Sequence, residues 1–503
     1  MTTASTLLKD DDRADIQGFI TSGYGHLPVA AYLFVRLHDA ARAAQWIRAL
    51  EHSITSSRPW PVAANGEKAR PASTVNVAFT AQGLRACGLP QRVVCTFPPE
   101  FQEDIATVHR SRILGDTEES DPARWELGGP AKEFHAVVLV HAENDAVLER
   151  ICREQRALME QAGVLELPGG VQRGYRPSHD REHFGFHDGV SQPLVAGIAD
   201  GGGVPTGEFI LGYENHYGVI PPTPVVPGEL DPDGVLPALP NPYYASSALR
   251  DLGRHGTYVV YRKLRQHVGT FWDFMKREAV RAGRGDDVEY MVWLASKCVG
   301  RWPSGAPLAM APDRDDPSFA DRDDFLYASD PNGMACPLGA HVRRANPRDV
   351  IKPYEPEQSL HMSEAHRLIR RGRAYGPPLF DMAVLNNASG NNARALLNLQ
   401  DDGQPRGVHF FCVNASIRSQ FEFVQQTWCN NPRFGGLRNN KDPLVGDHGG
   451  NGQPASQMIV PLLSGSQQTS ALPRFVTVSG GAYLFMPSVT ALRFLARLKS
   501  GGL

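Results

Sequence analysis

The apolar and polar positions of the chain switch repeatedly between two periods. Ala31 to His38 is a β-branched and aromatic run of strand length. In Ala40 to Leu50 the apolar positions recur at helical spacing, so strand and then helix are predicted. Val75 to Phe79 predicts a second strand, followed by a short helix over Thr80 to Ala86 with Thr80 as its cap. Phe134 to His141 predicts another strand, and Asn144 to Ala162 a helix stopped by Gly163. This α+β alternation recurs later in the chain. Gly256 to Arg262 is a strand of the same character as the first, and Thr270 to Glu278 follows as a helix. Val408 to Asn414 is then a strand, Ala415 to Trp428 a helix, and Tyr483 to Met486 a last strand. Recurrence of the unit points to a duplicated fold. The expected divisions are residues 1–180, a connection over 181–255, and 256–503.

The connection is rich in breakers. Gly201 to Gly207 and the proline-rich Pro221 to Pro242 are incompatible with a helix or a central strand. The second stretch reads equally as a surface connection or as one wall of a pocket. Arg314 to Asp324 mixes aspartates with arginines and reads as a solvated loop, because the alternating acidic spacing around glycine of a calcium loop is missing.

Composition narrows the class. The 503 residues are 42% hydrophobic and 21% charged, with a formal net charge of −3, so nothing global directs the chain to nucleic acid or to an acidic membrane. No apolar run is long enough to span a bilayer. The seven cysteines are an odd number, widely spaced, and form no Cys-x-x-Cys. Together with an N-terminus lacking a basic and apolar leader, this predicts free thiols and a cytoplasmic location.

The candidate chemistry lies in three stretches. In Cys336-Pro-Leu-Gly-Ala-His341-Val-Arg343-Arg344 one imidazole stands between an apolar approach and a basic run. Haem asks for that combination: an imidazole for iron, apolar walls for the ring, and arginine for the propionates. Cys336 is a rival axial ligand, and Asp442 or Asp447 could orient the imidazole through its other nitrogen. The second stretch is Phe184-Gly185-Phe186-His187-Asp188-Gly189-Val190-Ser191-Gln192-Pro193, in which glycines let the backbone turn tightly beside a carboxylate. The third, Leu368-Ile369-Arg370-Arg371-Gly372-Arg373, offers three guanidiniums that stay charged at any working pH. His183, His187 and Asp188 also allow a non-haem metal reading, which lacks a further ligand.

Together these stretches resemble the dye-decolourising peroxidase family, whose marker is a Gly-x-x-Asp-Gly loop, here Gly185 to Gly189. Similar residues run along most of the chain, from Asp15-Ile-Gln-Gly18 to Gly481-Ala-Tyr-Leu-Phe-Met-Pro487, and its length is like that of the longer subgroups. The resemblance implies two ferredoxin-like antiparallel sheets with helices, and noncovalent haem b in the C-terminal one. It implies His341 as the iron ligand, Asp188 as the acid-base group rather than His187, and Arg370 as the distal arginine, with Arg371 and Arg373 as rivals. Gly185 and Gly189 would lie against the cofactor, and Arg343 and Arg371 would reach propionates. The implied activity is reduction of hydrogen peroxide, with one-electron oxidation of phenols, aromatic amines and bulky dyes. Some of the 14 tyrosines and 7 tryptophans could carry electrons to the surface. The alternative is a haem carrier with incidental peroxidase activity.

Overall fold

The computed structural model describes residues 8–62, 66–169, 171–198, 202–239, 248–386, 390–448 and 456–498. Its first half runs β1 (Val29–Arg36), α1 (Ala40–Glu51), β2 (Ser73–Phe79), β3 (Ala136–Ala142), α2 (Asp145–Ala162) and β4 (Gln172–Tyr175), and the strands pair in the order β4-β1-β3-β2. The helix limits follow local chemistry. Asp39 caps α1 by accepting from the Arg42 amide, Asn144 caps α2 through the Val147 amide, and Gly163 ends α2 in the left-handed conformation. Thr80 caps its short helix as expected, accepting from the Gly83 amide.

The second half repeats the arrangement. β5 (Thr257–Gln266) is followed by α3 (Val268–Arg281) and α4 (Val288–Val299), then β6 (Ile369–Arg370), β7 (Arg373–Tyr375), β8 (Gly407–Asn414) and β9 (Val476–Met486). Here the order is β9-β5-β8, with β6 and β7 both on the far edge of β8. Each half therefore has its first strand beside its last and its second strand on the opposite edge, the ferredoxin-like order, and the fold is α+β with two antiparallel sheets. The sheets also join. Phe485 of β9 pairs with Phe79 of β2, and Ala374 of β7 with Tyr175 of β4, so the strands close into a ring.

Closure explains the strand pattern. Both faces are buried, and residues one apart serve different cores. Ala31, Leu33 and Val35 of β1 pack outward with Trp46 and Ile47 of α1 and Leu148 and Ile151 of α2. Ala30, Tyr32 and Phe34 point into the ring with Tyr261, Phe411 and Leu484. A third core, of α3 and α4 with Phe184, Phe186, Cys336, Ala340 and Leu385, underlies the loops that carry the candidate chemistry.

Three connecting segments differ from expectation. The proline-rich stretch forms a short strand, Val225–Pro227, paired with Leu249–Asp251, and it buries Val226 and Leu236 in the outer core of the first half. Its residues 240–247 lie outside the described ones. The helix after β8 forms, but with π-type turns over Arg418–Glu422 and Val424–Cys429. The aspartate loop is not merely solvated: Asp315 accepts from Ser304, and Asp323 pairs with Arg301 and Arg348. Those arginines need a carboxylate because both are buried.

Candidate active site

His341 opens a one-turn helix, α5 (His341–Ala345), directly after the buried Ala340. Its Nδ1 stands 2.9 Å from Asp442 Oδ2, while Asp442 Oδ1 accepts from the Leu444 and Val445 amides at 2.9 and 3.0 Å. Burial alone would raise the Asp442 pKa. His341 and the backbone amides outweigh it, and the carboxyl is held down at about 2. Burial likewise pushes His341 down, yet Asp442 overcomes it and the imidazole ends above its ordinary value. Of the two sequence candidates for the orienting acceptor, Asp442 fills the place and Asp447 pairs with Lys441 at 2.8 Å. An ionised Asp442 accepts the Nδ1–H hydrogen bond, so that in the neutral imidazole the lone pair is on Nε2. Cys336 lies fully buried in the third core, its thiol pushed up to about 11 by burial.

Asp188 lies within electrostatic reach of His341. The loop carrying it has almost no regular structure, and its chain is fixed by single bonds: the Asp188 amide to the Asp180 carbonyl at 2.8 Å, and the His187 amide to the Pro303 carbonyl at 3.2 Å. Asp188 Oδ1 accepts from the Gly189 amide at 2.6 Å and from Arg370 at 2.9 Å; Oδ2 accepts no hydrogen bond among the described residues. Burial tends to raise this carboxyl, but Arg370, the Gly189 amide and more distantly His341 prevail, and its pKa is lowered. The side chain retains 51% of its exposure although it lies deep among protein groups, so its open surface faces a recess within the molecule. His341, itself 28% exposed, feels the charges of both Asp188 and Arg370.

The three neighbouring arginines separate by direction. Arg370 reaches Asp188, and its own amide donates to Gln192 Oε1 at 3.0 Å. Arg371 binds the Phe19 and Ile20 carbonyls, and Arg373 those of Gly23, Tyr24 and Leu27. The expectation that Arg343 and Arg371 hold propionates is therefore corrected. Arg343 is 1% exposed and binds the Asp330 carboxylate and carbonyl and the Cys336 carbonyl, so neither arginine offers a free guanidinium. Sequence reasoning missed Arg367, whose guanidinium has no hydrogen bond among the described residues. It lies among Asp323, Arg348, Glu364 and Arg370, with burial lowering its pKa to about 10. No local spacing marks that residue.

The two glycines play different parts. Gly189, at φ +91°, has open space where a side chain would stand. Gly185, at φ +100°, has that direction filled by Leu385 and Phe380, so it serves packing. The non-haem metal reading finds no support: His183 binds the Tyr375 carbonyl, His187 the Ser304 carbonyl, and no three metal-binding side chains converge among the described residues. A free Nε2, a free Asp188 Oδ2 and an open face at Gly189 fit a flat ligand bound through iron.

No protein-family model matches the chain. It is 30% identical over 481 residues to the multifunctional dye peroxidase DyP2 of Amycolatopsis sp., across 92% of this chain and 91% of that protein. It is 27% identical over 437 residues to the dye-decolorizing peroxidase msp1 of Mycetinis scorodonius, across 84% and 76% of the two. The structure superposes on an ancestral D-type dye-decolorizing peroxidase with a TM-score of 0.73 at 25% identity, covering 96% and 98% of the two chains. Likeness over nearly the full length of both partners, on top of the loop, strand and imidazole just described, means that the chain belongs to the dye-decolourising peroxidase family.

Proposed function

We propose that His341, Asp188 and Arg370 are the residues with which this peroxidase, a haem oxidoreductase acting on hydrogen peroxide, holds its cofactor and handles its substrate. The observation that carries the reading is the pairing of two free atoms on side chains within electrostatic reach of each other. His341 Nε2 is made a lone-pair donor by Asp442, and Asp188 Oδ2 is left free because Arg370 and Gly189 occupy Oδ1.

Haem, when bound, supplies an iron centre that takes the two oxidising equivalents of peroxide and passes them on one electron at a time. Asp188 Oδ2 takes a proton from one peroxide oxygen and returns it to the other, which then leaves as water. Arg370 keeps Asp188 ionised until peroxide arrives and directs its remaining N–H groups at the charge that develops on the departing oxygen. The haem is b type, one per chain and noncovalent, a reading supported by the absence of Cys-x-x-Cys-His and by the burial of Cys336. Arg367, whose guanidinium has no hydrogen bond among the described residues, is the group suited to a propionate. Phenols, aromatic amines and dyes are the electron donors. The working compartment is a reducing cytoplasm, supported by seven unpaired cysteines.

The visible spectrum before and after one equivalent of peroxide tests the reading. A haem absorption that changes on mixing and returns with a phenol is expected, with saturating turnover separating an enzyme from a haem carrier. His341→Ala should lower haem occupancy and shift the ferric spectrum; a native spectrum with full activity would move the axial role elsewhere.

A further inference from the structure

Up to Asp188 the loop is braced by the Glu182 carboxylate, which accepts from the Phe184 and Phe186 amides at 2.9 and 3.0 Å, and its one strand pairing is an isolated bridge between Arg181 and His187. Two side chains beyond Asp188 tie it down. Gln192 Oε1 accepts from the Arg370 amide at 3.0 Å, on the edge of β6 that faces away from β8. Ser191 Oγ donates to Asp323 Oδ1 and accepts from Arg301 at 3.1 Å, and the same Asp323 oxygen is held by Arg301 and Arg348. Those two guanidiniums are themselves fixed. Arg301 binds the Gly305 and Arg322 carbonyls at 2.7 and 3.0 Å, and Arg348 the Asp323 and Phe325 carbonyls at 2.8 and 3.0 Å. Both also lie over the Phe325 ring, at 5.3 and 4.0 Å from its centroid.

We propose that Asp323, clamped by Arg301 and Arg348, is a positioning residue that sets the distance between Asp188 and Arg370 by gripping the loop at Ser191. The inference rests on the assignment of proton transfer to Asp188. Its physical basis is leverage. Ser191 is three residues from Asp188, and the Asp323 oxygen it reaches is anchored to two buried cations, whereas Asp188 is half open and has a single cationic partner. The mutual position of Asp188 and Arg370 is thus dictated by an element that touches neither. Losing the Ser191 hydroxyl, with its bonds to Asp323 and from Arg301, leaves Asp323 with both arginines, so the clamp and its core survive while the loop is released.

Release has a signature that a purely structural role lacks. The charged groups around Asp188 are Arg370 on β6, His341 on α5 and Glu182 on its own loop. Arg370 is the main group opposing burial, so an Asp188 that drifts from it becomes harder to ionise. The acid limb of the peroxide reaction then moves to higher pH.

The test is stopped-flow mixing of the haem-loaded enzyme with peroxide across the acid range, for wild type, Ser191→Ala, Ser191→Thr, Asp188→Asn and the double variant Ser191→Ala with Asp188→Asn. Ser191→Ala should slow the reaction by about tenfold, in line with the cost of small misplacements of reacting groups, and shift the acid limb upward. Ser191→Thr, which keeps the hydroxyl, should restore both. In the Asp188→Asn background the Ser191 change should have no further effect. A Ser191→Ala enzyme with wild-type rate and acid limb would overturn the proposal, as would a Ser191 effect of equal size without the carboxylate. Wild-type rates in Asp188→Asn itself would instead sink the assignment on which the proposal rests.

Discussion

Replacing Asp442 with asparagine separates the charge of this residue from its shape. In the wild type Oδ1 is fixed by the Leu444 and Val445 amides, so Oδ2 faces His341. Those two donors require an oxygen, and the variant must therefore turn its amide nitrogen toward Nδ1. Nδ1 becomes an acceptor, the imidazole proton moves to Nε2, and the lone pair on Nε2 is lost. Haem occupancy should fall. The stability change can be sized from the carboxyl, whose pKa drops from 3.8 to about 2 on folding. At roughly 1.36 kcal/mol per unit this gives about 2.5 kcal/mol. The folded value is the depressed one, so the contribution is complete above about pH 4 and is lost as pH falls through about 2. Asparagine has no such transition. Denaturant unfolding of haem-free protein at pH 5 and pH 2 should show the wild type losing about 2 kcal/mol more than Asp442→Asn between the two conditions, since at pH 2 the folded carboxyl is only half protonated. Other carboxylates titrate in both proteins and cancel. A difference under about 0.5 kcal/mol would mean that Asp442 is not held ionised by the site, and the tautomer argument for His341 would go with it.

Asp188→Asn and Arg370→Leu should each retain haem and slow the first reaction with peroxide by roughly tenfold or more, equivalent to about 1.4 kcal/mol, in stopped-flow. Because the Asp188 pKa is lowered, the wild-type reaction should persist into acid below the ordinary carboxylate value and fail only as Asp188 protonates; a limb near the histidine range would point to another base. Arg367→Leu should weaken haem binding by roughly 10- to 100-fold, the loss of one charge-assisted contact, whereas Arg343→Leu should lower the unfolding midpoint; haem titration and thermal unfolding read the two separately. Thiol titration of denatured, unreduced protein should find close to seven groups, and one or fewer would contradict a reducing compartment.

The elements themselves were legible because they are written in local periodicity. β1 and β8, and helices α1, α2 and α3, lie within a few residues of their predicted limits, and Thr80 and Gly163 act as cap and stop. The duplicated pattern also came through, since each half must bury its own helices. His341, Asp188 and Arg370 could be nominated from sequence because they stand in short continuous motifs. What periodicity could not carry was direction and partnership at long range. Arg370 and Arg371 are adjacent and chemically identical, and only the edge of β6 against β8 sends one to Asp188 and the other to the Phe19 carbonyl. Arg343 read as a propionate contact because its neighbours are basic, yet α5 turns it into a buried pocket with Asp330, a partner that no sequence pattern announced. Asp323 read as solvated for the converse reason: its partners Arg301 and Arg348 lie 22 and 25 residues away, and a charge run looks exposed until the chain folds cations onto it. A side chain's type and local spacing are properties of the sequence. Whether a charge faces a ligand, a carbonyl or an opposite charge is decided by which distant segment the closed ring of strands brings against it.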